Sequence, residues 1–183
     1  MLYKLKWFLS ALFLSLFCKK IKFPSYFSIP IFSIGLKKVS IGRRVRIFPG
    51  SRFEVHNNGF IQIEDNVGIG QNFHITSAGT LIIGKGTIIT GNVCITNIVH
   101  EYREIDKPIL EQGILVKDTI IGKNCFIGYA AIIQAGTNLG DHCIVGAHSV
   151  VSGEFPSYCV IAGTPAKIIK KFDFGKNEWV RIH

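Results

Sequence analysis

The chain has 183 residues, the length of a single domain, of which 48% are hydrophobic and 18% charged. Lys and Arg number 21 and Asp and Glu 12, a formal net charge of +9, which excludes an acidic tail and a low-hydrophobicity disordered chain. The 29 Ile against 11 Leu and 8 Ala argue against a helical bundle, because Ile is stiff at χ1 and favours strands, and the 19 Gly imply frequent turns.

The first 33 residues form a hydrophobic and basic segment. From Trp7 to Phe17 the run is apolar apart from Ser10 and Ser15, with Lys4 and Lys6 before it and Lys19, Lys20 and Lys22 after. It is too short to span a bilayer, which takes about 20 residues. Bulky Phe23, Pro24 and Tyr26 follow where a signal peptide has its small-residue cleavage site, so a retained helix is expected. Trp7, Phe8, Leu9, Leu12, Phe13, Leu14, Leu16 and Phe17 cannot share one side of it, so nearly its whole circumference should be buried. It either packs on the body as a cap or lies in a membrane surface with its lysines at anionic headgroups. The five cysteines (Cys18, Cys94, Cys125, Cys143, Cys159) show no CxxC spacing and are expected as buried thiols in a reducing, cytoplasmic compartment.

An internal repeat organises the rest. Aliphatic residues recur every six positions at Ile121, Ile127, Ile133, Leu139, Val145 and Val151, and the same phase appears at Ile63, Ile69 and Ile75 and at Ile83, Ile89 and Ile95. A weaker start is read at Ile34, Ile41 and Ile47. Gly follows the aliphatic in four of the five later hexads, and a small or hydroxyl residue stands four places on: Cys125, Ala131, Thr137, Cys143, Ser149. Six is neither the period of a helix nor that of an alternating strand. It fits a short extended segment plus a corner, three of which close a triangular coil of about 18 residues that stacks on its neighbours through parallel strands. The aliphatic points inward, the small residue fits the corner, and the Gly is expected to supply unusual backbone angles. Two extra residues near His56–Gly59 and two near Ser77–Leu81 read as corner bulges, and the larger break at about 98–116 reads as a loop leaving the coil.

On these motifs the chain resembles the hexapeptide-repeat acyltransferases, and in particular the sugar, capsular-polysaccharide, galactoside and maltose O-acetyltransferases. The resemblance implies an all-β fold: a left-handed parallel β-helix over 34–165, with the N-terminal helical segment before it and a short tail over 166–183. It also implies a homotrimer with active sites between subunits and acetyl-CoA as acyl donor. His100 stands where the coil ends and the loop begins, and a neutral imidazole can accept a hydroxyl proton at pH 7. The resemblance makes it the general base. Family members often carry a second histidine two positions earlier, where this chain has Ile98. Residues matching the family's donor-contacting positions are Thr90, Tyr129, Ala147, Ser152, Lys167 and Lys170; the family usually has a small residue where Tyr129 stands. The segment VIAGTPAKIIKK follows the terminal signature, its lysines suited to phosphates.

Asn72, His74 and Tyr102 are the candidate acceptor contacts. His142 and His148 fall at solvent-facing corners, His56 in a bulge and His183 at the terminus. The spacings do not stack three metal ligands, and neither a phosphate loop nor a nucleic-acid surface is visible, so no metal and no nucleic-acid partner is expected. The reading is an acetyl-CoA-dependent O-acetyltransferase acting on a sugar hydroxyl of a surface polysaccharide or its precursor. An N-acetyltransferase on an amino sugar or antibiotic, or a noncatalytic β-helix scaffold, remains open.

Overall fold

The structure, a computed structural model, describes residues 2–182, so His183 lies outside the described residues. After one helix, α1 (Leu2–Leu14), the chain runs as short strands on three faces of a prism. Within the coils, each strand pairs in parallel with the strands of the neighbouring coils on its face. The first face starts at Lys20–Ile21 and holds seven strands, ending at Glu154–Phe155, so the parallel β-helix has seven coils.

The hexad aliphatics stack in register. Ile63, Ile83, Ile121 and Leu139 form the column of the first face; Ile69, Ile89, Ile127 and Val145 that of the second; Ile75, Ile95, Ile133 and Val151 that of the third. All twelve are buried. A branched side chain so buried contributes about 1.5–3 kcal/mol relative to exposure. Towards the N-terminal end the prism widens, and Phe27, Phe53 and Phe73 fill it with ring centroids 5.3 and 6.1 Å apart.

The corners differ from expectation in one respect. Left-handed backbone falls three residues after the aliphatic, at Asn66, Asn72, Asn92, Asn124, His142 and His148. The glycine directly after the aliphatic has ordinary angles, and space is what it supplies. A Cβ on Gly122 would lie 2.5 Å from the Gly140 carbonyl carbon, and one on Gly128 would lie 2.5 Å from the Ala147 nitrogen. Successive coils touch backbone to backbone there.

Coil length varies only at corners. Leu139 follows its partner Ile121 by 18 residues and Ile83 follows Ile63 by 20, which gives the expected two-residue bulge near Ser77–Leu81. Ile63 follows Ile41 by 22, so the corner at 56–59 holds four extra residues rather than two. Ile121 follows Ile83 by 38 and still pairs with it directly. The intervening excursion is an antiparallel pair, Ile98–His100 with Ile114–Val116, closed where Lys117 N–H donates to the Asn97 carbonyl at 2.9 Å. Buried Asn97 anchors this root: its Oδ1 accepts from Ala78 N at 2.9 Å and its Nδ2 donates to Ser77 Oγ at 3.0 Å and Thr80 O at 3.2 Å.

Parallel pairing reaches upstream of residue 34, because Lys20–Ile21, Tyr26–Phe27 and Phe32–Ile34 already form a complete coil. Ile34 is exposed and pairs with Glu54, and Ser33 is the residue opposite Phe53, so Ile34 lies outside the core column. At the other end Cys159–Gly163 turns back antiparallel into Ala166–Asp173, which pairs with Glu178–Arg181 and widens the second face. α1 caps the first coil: Ala11 and Leu14 join the core, Trp7 packs on Phe48 at 4.9 Å and Phe8 on Phe23 at 5.7 Å. Its other side (Leu5, Leu9, Leu12) stays exposed, as does Leu16 in the turn after it, so one chain buries about half of the helix rather than its whole circumference.

The stacking account predicts opposite outcomes at two glycines. Gly122→Ala must push two coils apart and should cost on the order of 3 kcal/mol or prevent folding. Gly68→Ala meets nothing within 4 Å and should leave the melting temperature nearly unchanged. Thermal melts of both variants check this.

Candidate active site

The excursion leaves the third face after Thr96 and carries His100 opposite Ile114 at the end of its first strand. The His100 ring is exposed and, among the described residues, has no hydrogen-bond partner, so both ring nitrogens are free to meet a ligand. Tyr102 follows on the exposed loop, its N–H donating to Glu101 Oε1 at 3.0 Å. The loop is braced by Gln112, whose Nε2 donates to the Glu104 and Lys107 carbonyls at 2.8 and 2.6 Å while its Oε1 accepts from Glu104 N at 3.0 Å.

Before the excursion, the outer surface of the third face is polar. Register places Arg52 beside His74 and His74 beside Cys94, with Glu54, Thr76 and, next to it, Thr96 in the adjoining row. Glu54 is the hub. It accepts from Arg52 Nε, bonds His74 Nε2 at 3.1 Å and lies 3.5 Å from His56 Nε2, and Thr76 Oγ1 approaches the same His74 nitrogen at 3.0 Å. Burial works to raise the Glu54 carboxyl, but the hydrogen bonds from Arg52 and His74, with their charges, outweigh it and hold it below its ordinary value.

The edge between second and third faces gathers five of the sequence candidates. Asn72 Nδ2 donates to Asn92 Oδ1 at 3.0 Å, and Asn92 Nδ2 donates to the Tyr129 hydroxyl. Tyr129 also meets the His148 ring edge-on at 5.8 Å. Thr90 Oγ1 donates to the Ile127 carbonyl at 2.8 Å, and Ala147 lies exposed one coil beyond Tyr129. Gly128, Gly146, Ala147 and Ala162 leave this end of the edge without bulk; a Cβ on Gly146 would lie 3.0 Å from that of Ala162. Lys167 stands opposite Ala162 and so joins the edge, whereas Lys170 stands opposite Val160 at the other end of the strand. Ser152, exposed after Val150–Val151, is on the far side of the third face. One chain therefore brings Asn72, Thr90, Tyr129, Ala147 and Lys167 together and leaves Ser152 and Lys170 apart.

Glu54 and Asn92 were not visible as site residues in the sequence. The links to the candidates, Glu54 with His74 and Asn92 with Tyr129, span 20 and 37 residues, and only the coil length makes them neighbours. Among the described residues no three His, Cys, Asp or Glu side chains cluster as metal ligands, and no helix is long and apolar enough to cross a membrane.

Residues 118–152 match the family described as hexapeptide repeat of succinyl-transferase. The chain is 32% identical over 169 residues to WbbJ of Escherichia coli, whose name assigns it to lipopolysaccharide biosynthesis as an O-acetyl transferase; the match covers 88% of this chain and 83% of that one. It is 30% identical to the Escherichia coli galactoside O-acetyltransferase over 59% of this chain and 55% of the relative. Among solved structures, an N-acyltransferase of Bacillus cereus, AntD, in complex with dTDP and coenzyme A superposes with a TM-score of 0.73 at 16% identity over 88% of each chain. A galactoside acetyltransferase bound to coenzyme A gives 0.57 at 18% identity, covering 93% of this chain and 75% of that one. The chain belongs to the hexapeptide-repeat acyltransferases and is an acetyltransferase by family.

The third-face cluster has a pH signature. The folded-state value of Glu54 lies below its unfolded one, so the stability it lends is present above the ordinary carboxylate range near 4.3 and is lost as pH falls through the folded value. Glu54→Gln should melt earlier than wild type at pH 7, and the gap should close below about pH 4. Melting temperature measured against pH checks this, and a gap independent of pH contradicts it.

Proposed function

We propose that the protein transfers acetyl from acetyl-CoA to a sugar hydroxyl of a surface polysaccharide or its precursor, in the cytoplasm. The observation that carries the reading is the position of His100, exposed with a free ring at the point where the chain leaves the coil. Neutral His100 takes the hydroxyl proton as the oxygen attacks the thioester carbonyl. The tetrahedral intermediate then collapses, the C–S bond breaks, and the imidazolium returns the proton to the CoA thiolate. Thr90, Tyr129, Ala147 and Lys167 border an edge left low by Gly128, Gly146 and Ala162 and carrying one cation, suited to an extended pantetheine arm ending in phosphates. Ser152 and Lys170, on other sides of the prism, serve the same donor from a neighbouring subunit if the enzyme is a homotrimer. The exposed outer side chains Ile88, Phe126 and Ile132 offer apolar surface for such contacts. Asn72, His74 and Tyr102 are assigned to the acceptor. The unpaired state of all five cysteines suits a reducing compartment.

A second reading, transfer to an amine, is supported by the likeness to AntD, an N-acyltransferase solved with a dTDP-linked amino sugar. A product stable to mild alkali would indicate the amide. His74 is the alternative base, because a ring that donates Nε2–H to Glu54 keeps its Nδ1 lone pair in the manner of a carboxylate-oriented histidine.

Two kinetic predictions follow the assignment. His100→Ala should lower kcat by about 10²–10⁴-fold, the range for loss of a general base, while His74→Ala should act mainly on the acceptor KM. CoA release by protein of unchanged oligomeric mass measures both, and the reverse ranking would transfer the role to His74. Lys167→Ala and Lys170→Ala should raise the KM for acetyl-CoA more than they lower kcat, because contacts to remote phosphates act as uniform binding. The effect should shrink with salt, since exposed charges are screened over about 8–10 Å. An unchanged KM at low salt would leave both lysines as solvated surface.

A further inference from the structure

We infer that the α1 end of the β-helix is a docking surface for an anionic lipid bilayer. Two independent features meet there. The first is the outer side of α1. Leu5, Leu9 and Leu12 recur at i, i+4 and i+7 and so form one row along the helix, which Leu16 continues in the turn after it. All four are exposed, Leu9 at 56% and Leu16 at 77%, although the opposite row already packs on the first coil. Phe13 and Phe17, with tilted rings 5.2 Å apart, extend the row sideways, and Ile29 borders the same recess as Leu9 and Phe13. A helix apolar on both sides and joined to the body by only one has a second apolar environment to meet.

The second feature is charge. The first acidic residue of the chain is Glu54, so residues 1–53 carry eleven Lys and Arg and no Asp or Glu. The remaining 130 residues hold ten basic and all twelve acidic residues, so the whole positive excess lies at the N-terminal end. Lys4 and Lys6 sit on α1, and Lys19 and Lys20 follow it directly; all four are exposed. Lys37 and Lys38 share a recess with Lys19. Among the described residues none of these six lysines is within 4 Å of a carboxylate. Exposed leucine and phenylalanine ringed by unpaired lysines match the two layers of an anionic membrane surface, acyl chains beneath phosphate headgroups. A second copy of this chain would present the same positive rim and repel it. α1 has 13 residues, too few to span a bilayer, so it would lie in the interface plane while its inner side stays on the first coil. In a trimer three such surfaces would act together. The inference rests on this surface alone and does not depend on the acceptor.

The test is co-sedimentation of the full-length protein with vesicles of phosphatidylcholine alone and of phosphatidylcholine containing phosphatidylglycerol, at low and high salt. Binding to the anionic vesicles should exceed that to neutral ones by about tenfold or more and fall with salt. Leu9→Gln with Leu16→Gln alters only exposed positions and should reduce binding about tenfold, as should Lys6→Gln with Lys19→Gln, both at unchanged melting temperature and oligomeric mass. Equal binding to both vesicle types, or none, overturns the proposal. So does a leucine variant that keeps its vesicle binding but loses oligomeric mass, because the row would then be a contact between copies of the chain.

Discussion

Everything in this molecule depends on how closely one coil can lie on the next. Parallel pairing sets the spacing between coils at about 4.8 Å, and the one or two inward side chains that each coil offers along a face must fill the interior. The sequence answers with an aliphatic residue that enters the column every six positions, and at Gly70, Gly84, Gly122, Gly128 and Gly140 the glycine after it removes the atom that would hold successive coils apart. Ile on one coil is then packed by Ile above and below, so the interior is built from contacts that repeat rather than from a globular arrangement.

The same constraint decides where variation is allowed. A residue cannot be inserted within a face without shifting every pair above it, but a corner can lengthen by bulging outward into solvent. Coils of 18, 20 and 22 residues therefore coexist, and the excursion before Thr119–Ile121 enters and leaves without disturbing the pairing of Ile83 with Ile121. Side chains able to do chemistry sit at these permitted places, His100 on the excursion and Asn72, Asn92 and Tyr129 on one edge, or point outward from a face, as Glu54 and His74 do. Scaffold and chemistry occupy different residues of the same hexads.

The core was legible in the sequence wherever the hexads run unbroken, because an inward position tolerates little besides Ile, Val and Leu. Ile121 to Val151 illustrate this. The first coil was not legible, since Lys20–Ile21, Tyr26–Phe27 and Phe32–Ile34 are short, separated by Pro24 and Pro30, and place only Ile21 and Phe27 in the core. The role of the hexad glycine was misread because crowding between coils depends on residues 18–38 positions away, whereas backbone angles are a local property. His74 was legible as an outward residue, but its link to Glu54 was hidden by the four-residue widening of the corner between them. For α1 the sequence offered a cap or a membrane segment; the cap is present, and the row it leaves exposed keeps the other role available.

The central claim is that the β-helix is a scaffold complete without its excursion, and that catalysis needs the residue the excursion carries. Lys117 N and Asn97 O already meet at 2.9 Å, so residues 98–116 can be replaced by one glycine, leaving the same 20-residue step that separates Ile63 from Ile83. The direct measurement is CoA release from acetyl-CoA by this variant across a panel of sugar acceptors, alongside its thermal melt. The account predicts a cooperative melt within a few degrees of wild type and no acceptor-dependent CoA release. Acetyl transfer at the wild-type rate, or a chain that no longer folds, would contradict it.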